Sequence, residues 1–352
     1  MNFLVDLKDQ LTAFSEFSGR LGARPDYVQG GGGNTSVKMA GEWMAIKASG
    51  FCLSDIRPDH GYAVLNYPAL RGFYRSHVAN EFEDVEASGS AVSKAATRQV
   101  DGLDSLRPSV EAGFHSLLDG YVAHTHSVYA NLAACCEEAG EMLDKAMDGA
   151  PYGHVLVPYV DPGARLTFAI YDAIKAAQER TGKRPALLLL QSHGVIAHHD
   201  DPEECLRIHE DANQRFARAF NTSFDDFPEP RVRKLADGTF ASDTIWLKQR
   251  LRGDAHPDSV LLGEPLYPDQ MVFFKDVLGV TAVIDRATGD VHYSVPEKNA
   301  RTLEETLCAV VFIRETLEKN GKTVISMGDA ARRFIDGWES EKYRKNLAER
   351  KA

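Results

Sequence analysis

Gly120-Tyr121-Val122-Ala123-His124-Thr125-His126 is an apolar run that ends in two histidines one residue apart. In a β-strand, residues i and i+2 point to the same face, so both imidazoles can turn toward one point. A second apolar run, Ala186-Leu187-Leu188-Leu189-Leu190-Gln191-Ser192-His193-Gly194, again delivers a histidine at its C-terminal end. Taken alone, an H-x-H at a strand end is equally a pair of surface histidines. Two strands that both end in histidine favour a metal, and three neutral imidazoles with one position open make a catalytic zinc arrangement.

The rest of the composition narrows the class. A formal net charge of −11 argues against a nucleic-acid surface, which needs an excess of Lys and Arg. It leaves room for a small anionic substrate in a local pocket. The five cysteines form no C-x-x-C and no regular framework, so they read as reduced thiols of a cytoplasmic protein. The start of the chain is acidic and lacks the long apolar core of a signal peptide, and no run is apolar enough to span a membrane.

Upstream of the first histidine pair, apolar spacing over 3–22 predicts an amphipathic helix. Gln29-Gly30-Gly31-Gly32-Gly33-Asn34-Thr35-Ser36-Val37-Lys38 follows. It is a flexible loop or an anion nest whose backbone N–H groups can approach a ligand. It fits neither the Walker nor the dinucleotide pattern. Trp43 to Gly50 reads as a strand entering a tight turn, with Lys47 and Ser49 on one face and Gly50 offering another N–H. Two donor-rich loops so close together suit a phosphate. Residues 87–100 read as helical. Ser109 is the expected N-cap of a helix carrying Val110, Phe114, Leu117 and Leu118, with Glu111 a first-turn acid favoured by the free N–H groups. His115, four residues on, could pair with Glu111 on one helix face, and reads as structural.

Downstream, helical period runs over 128–147 and 164–180, with a short strand over 155–157. Asp201-Pro202-Glu203-Glu204 is a strong helix start. Residues 221–231 look like a linker. Beyond it the sequence suggests a strand at 271–274, a hairpin pairing 280–284 with 291–295, a helix over 303–319 and a charged end at 338–344.

Six short motifs in order resemble the class II aldolase/adducin family, specifically its zinc-dependent sugar-phosphate aldolases. They are Gly33-Asn34-Thr35-Ser36, Ser49-Gly50, Pro108-Ser109-Val110-Glu111, His124-Thr125-His126, Pro158-Tyr159 and His193-Gly194. The resemblance covers roughly 5–220. Tyr267-Pro268-Asp269 and the charged end look like the aldolase portion of bifunctional rhamnulose-phosphate aldolase/short-chain dehydrogenase proteins, here without a dinucleotide fingerprint.

The resemblance implies an α/β fold: a three-layer sandwich with a mostly antiparallel central sheet and helices on both faces. It places a catalytic domain at 1–222 and a smaller α+β segment at 230–352 packed on it. His124, His126 and His193 would hold one Zn2+ per subunit, with Glu111 as acid/base and Tyr159 protonating the departing alkoxide, in some members from a neighbouring subunit. Gly33, Asn34, Lys47, Ser49, Gly50 and Ser109 would bind the substrate phosphate. The implied activity is that of a carbon-carbon lyase in a cytoplasmic homotetramer. It would cleave a phosphorylated ketose reversibly to dihydroxyacetone phosphate and an aldehyde through an enediolate whose charge the ion carries. Val110 replaces a second serine of the small fuculose-phosphate enzymes, and Lys47 replaces an uncharged residue and would restore the lost attraction. His198 and His199 are expected to alter the substrate pocket. The same enolate chemistry would serve a sugar-phosphate decarboxylase, dehydratase or epimerase, although epimerase relatives carry Asp at the Glu111 position. A non-catalytic adducin-like module would lack the three histidines.

Overall fold

Successive side chains along each strand alternate between two apolar layers, and this alternation sets the architecture. The computed structural model describes residues 2–328, 331, 333 and 334. Eight strands form the main sheet: β1 (Asn34–Met39), β2 (Trp43–Lys47), β3 (Tyr62–Asn66), β4 (Thr97–Arg98), β5 (Tyr121–Thr125), β6 (Gly153–Val157), β7 (Pro185–Leu190) and β8 (Gly194–His199). Their order is β4-β3-β2-β1-β5-β8-β7-β6, antiparallel throughout except for the parallel β6–β7 pair.

One face sends Ala45, Val64, Ala123, Leu187 and Leu189 into a core with the helices Lys8–Gly22, Val128–Ala134 and Pro202–Ala219. The residues between them, Ile46, Leu65, Val122, Leu188 and Leu190, face the other way. There they pack against the helices Tyr67–Ser76, Val85–Ala96, Ala112–Leu117 and Ala164–Thr181. The result is the expected sandwich of a mostly antiparallel sheet between two helical layers.

A second sheet, ordered β11-β12-β10-β9, is built from β9 (Val232–Lys234), β10 (Phe240–Ser242), β11 (Ala282–Ile284) and β12 (Val291–Tyr293). The helix Glu297–Lys319 buries Leu303, Leu307, Val310 and Val311 in the same core as the first face of the main sheet. Residues 221–231 are pinned rather than loose: Phe224 packs on Tyr129 with ring centroids 4.6 Å apart, and Phe227 on Phe312 at 5.4 Å.

Four local expectations change. The helix expected over 87–100 ends at Ala96, and 97–98 pair with β3 as β4. Met271–Phe274 belongs to a helix, Pro268–Phe274, because Pro268 supplies a pre-set φ at the first helical position. The helical run after His126 breaks at 135–138, where the backbone pairs with 323–325 through Glu137 N–H to Thr323 and Ile325 N–H to Cys135. The helix expected to start at Ser109 starts at Ala112. Ala48 bridges Pro108, and Ser49 N–H donates to Arg107, which holds that stretch extended against the end of β2. The charged end at 338–344 lies outside the described residues.

Candidate metal centre

Antiparallel pairing of β5 with β8 places Thr125 beside Val195, so His126 and His193 meet where the two strands end and begin. The β7–β8 turn lies hard against β5: a Cβ on Gly194 would sit 2.3 Å from the Thr125 carbonyl oxygen, which only glycine avoids. His124 and His126 share the parity of Val122 and face the layer carrying Ala112–Leu117, while Thr125 faces the other layer and meets His209. All three histidines are buried, with one ring nitrogen from each lying within 4.8 Å of the others.

The surroundings of the rings fit a metal ion. His124 Nδ1 donates to the Val195 carbonyl (3.2 Å), and His126 Nδ1 lies 2.6 Å from Asp269 Oδ2. Each contact fixes the proton on Nδ1 and leaves an Nε2 lone pair. Among the described residues, those two buried Nε2 atoms have no hydrogen-bond partner. A buried polar atom without a partner is costly, and a cation supplies one. Burial drives the His124 imidazole down to about 3, so it is neutral at neutral pH, as a ligand must be.

Glu111 stands immediately before the helix Ala112–Leu117, at the N-cap position rather than in the first turn. Its Oε1 is 3.3 Å from His193 Nε2, and its Oε2 is 3.5 Å from His124 Nε2. A buried chain of hydrogen bonds fixes its place. Asn34 Nδ2 donates to Glu111 Oε2 (2.5 Å) and Ser109 Oγ (3.2 Å). His115 Nε2 donates to Asn34 Oδ1, and Ser36 Oγ is 2.7 Å from His115 Nδ1. His115 therefore orients Asn34 rather than pairing with Glu111, and burial keeps its ring neutral.

Three cations secure the far end of this short helix, where backbone carbonyls lack helical partners. Lys38 reaches the carbonyls of His115 and Asp119 (both 2.7 Å), Arg71 those of Ser116 and Leu118, and Arg184 that of Leu117.

Gly33, Asn34, Lys47, Ser49, Gly50 and Ser109 line one cleft, together with Glu111, His126 and His193. Gly33 has a positive φ of 61°, and a Cβ there would lie 2.5 Å from the His124 carbonyl. Lys47 donates to the carbonyls of Gly31 (2.9 Å) and Phe51 (2.8 Å), which ties the glycine loop to the next turn. Tyr159 is not among the residues lining this cleft; its hydroxyl donates to Asp161 (3.1 Å), and burial raises its pKa. His198 and His199 close β8 at the end away from His193, with His198 bonded to Asp119 (2.8 Å), and neither lines the cleft.

The chain belongs to the class II aldolase/adducin family: residues 17–217 match the Class II Aldolase and Adducin N-terminal domain. Class II aldolases depend on a metal, and the buried His124/His126/His193 triad can hold one. Similar solved structures include the N-terminal class II aldolase domain of a conserved Thermoplasma acidophilum protein. It is 20% identical, with 59% of this chain and 92% of that chain covered and a TM-score of 0.48. A sugar-phosphate aldolase from Thermotoga maritima is 14% identical over 61% of this chain and 95% of that one, with a TM-score of 0.43. An L-fuculose 1-phosphate aldolase is 18% identical over 61% and 87%, with a TM-score of 0.40. No curated protein matches the chain. Among the described residues, no helix is long and apolar enough to cross a membrane.

Proposed function

We propose that this protein is a zinc-dependent aldolase that reversibly cleaves a phosphorylated ketose to dihydroxyacetone phosphate and an aldehyde. The observation that carries this reading is Glu111, a buried carboxylate touching two of three clustered imidazoles in a cleft that continues into the glycine loop. Bound zinc would supply Lewis-acid stabilisation for the negative charge that develops as the carbon–carbon bond breaks.

The chain's own groups do the rest. In cleavage the Glu111 carboxylate takes the proton of the substrate hydroxyl as the carbon–carbon bond breaks and returns it to the carbon left electron-rich; in the synthetic direction it removes that proton from the carbon. The Asn34 hydrogen bond holds the Glu111 oxygen in place. The backbone N–H groups around Gly33 and Gly50, with the Ser49 and Ser109 hydroxyls, hold the phosphate, and Asn34, whose two amide protons go to Glu111 and Ser109, lines the same cleft. Binding energy gained there orients the reacting end of the substrate. Lys47 contributes by shaping the loop through its two carbonyl bonds. Tyr159 lies outside the cleft of its own chain, so we assign its proton to the cleft of a neighbouring subunit in a homotetramer.

The test is a panel of phosphorylated ketoses, beginning with rhamnulose phosphate and L-fuculose 1-phosphate, with products identified by mass. Zinc-loaded protein releases an aldehyde from at least one member. Glu111→Gln lowers turnover by about 10²–10⁴-fold, the usual weight of positioned proton transfer, with zinc content retained. No aldehyde from any member, and no effect of Glu111→Gln, refutes the assignment.

A further inference from the structure

Asp269 lies outside the matched family domain, which ends at residue 217, yet its side chain reaches the metal centre. It is 1% exposed, and its Oδ2 accepts from His126 Nδ1 at 2.6 Å across 143 residues of sequence. We propose that Asp269 is a positioning residue for the metal, supplied by the C-terminal segment to orient His126. This rests on the reading that the three imidazoles hold a divalent ion.

A neutral imidazole has two tautomers and can present either edge. A carboxylate on Nδ1 selects the form with its proton there, which turns the Nε2 lone pair toward His124 and His193. The same contact makes Nε2 a stronger donor, because the carboxylate polarises the ring. Without it, His126 could place its proton on the ligand nitrogen or rotate its ring away.

The glycine loop is shaped around this carboxylate. A Cβ on Gly32 would lie 2.0 Å from Asp269 Oδ2, so that position has no room for any other residue. The C-terminal part of the chain grips the same loop at two more points. Tyr267 donates its hydroxyl to Gln29 Oε1 (3.1 Å), and Glu305 Oε2 accepts the Gly30 N–H (2.9 Å). Pro268 and Asp269 line the cleft with Gly32 and His126, so one segment sets both a ligand's orientation and the wall beside it. The C-terminal segment is thus a working part of the metal centre.

The experiment uses the full chain as wild type, Asp269→Ala and Asp269→Asn. Zinc affinity is read by competition with a chromophoric chelator, and the His126 tautomer by ¹⁵N NMR of the chelated protein. Loss of such a partner weakens metal binding by about 10–100-fold, the change expected for Asp269→Ala. Asp269→Asn, whose Oδ1 still accepts from Nδ1, falls between that variant and wild type. The wild-type ring carries its proton on Nδ1, and the Ala variant shows both tautomers. A purely packing role would lower the melting temperature and leave both readouts unchanged. Wild-type affinity in Asp269→Ala overturns the proposal, as does wild-type affinity in Asp269→Asn should the Ala variant fail to fold. A wild-type chain that binds no zinc overturns the metal reading and this proposal together. Zinc binding without aldolase activity removes only the assigned reaction.

Discussion

Asn34→Asp places a second carboxylate where an amide now donates to Glu111, with almost no change of shape. Asn34 Nδ2 and Glu111 Oε2 are 2.5 Å apart, and both residues are buried. Two carboxyl groups centred about 4 Å apart repel by about 4 kcal/mol at an effective dielectric of 20. At 1.36 kcal/mol per unit, that raises the pKa of the pair by about three units. The pair therefore keeps one shared proton up to about pH 7, whereas both groups ionise near pH 4 in the unfolded chain. Because the folded-state pKa is the raised one, stability is retained below pH 4 and lost as pH rises toward 7. Relative to wild type, the variant should be weaker by about 1 kcal/mol at pH 5 and about 4 kcal/mol at pH 8. Urea unfolding of chelator-treated wild type and variant at the two pH values reads this difference directly. An equal deficit at pH 5 and pH 8 would show that Asn34 and Glu111 do not face each other in a low-dielectric site.

Two further outcomes follow from buried groups. Lys47→Met keeps the aliphatic stem but leaves the Gly31 and Phe51 carbonyls without this donor. At about 0.5–1.5 kcal/mol for each lost hydrogen bond, a loss of about 1–3 kcal/mol is expected in urea unfolding, and an unchanged midpoint would remove Lys47 as the clamp. Burial lowers His209 to about 3, whereas an unfolded histidine takes up its proton near 6.5. The unfolded chain gains that proton first, so stability falls as pH drops from about 6.5 toward 3, by about 1.4 kcal/mol per pH unit for this group. His209→Gln should flatten the wild-type slope by that amount between pH 6 and pH 4, and parallel curves would refute it.

The histidine cluster is legible because the strand period is short and strict. The spacing of His124 and His126 already put them on one face, and the leucine run before His193 marked a second strand. The alternation that reveals those strands also predicts the layers, since Leu187 and Leu189 part from Leu188 and Leu190. Glu111 was legible as a helix-start acid, and only the ordered motifs gave it a chemical role. Asp269 was hidden for a different reason. Met271-Val272-Phe273-Phe274 is too short for periodicity to separate strand from helix. Pro268 at the first helical position was the available signal. Even with the helix recognised, nothing local couples Asp269 to a histidine 143 residues earlier. His115 is structural, as expected, but its partner is not legible on similar grounds: an i+4 candidate is visible in sequence, whereas the actual partner on β1 is not.

That partner shows why the site depends on strand register rather than on any single side chain. Asn34 and His124 are directly opposed in the β1–β5 pair, and Ser36 stands opposite Val122. The residue facing His124 across the ladder is thus the one that holds Glu111, and its strand neighbour of the same parity holds His115. A slip of one residue between β1 and β5 would exchange Asn34 and Ser36 for the alternate residues Thr35 and Val37, which serve the opposite layer. Thr35 bonds Ser18 there, and Val37 lies in the core cluster that contains Leu11 and Phe14. The slip would orphan the Glu111 network and push polar groups into that core in one step. The apolar pattern of β1 and β5 therefore protects the chemistry: the register that buries Val37 and Ala123 is the register that sets Asn34 beside His124.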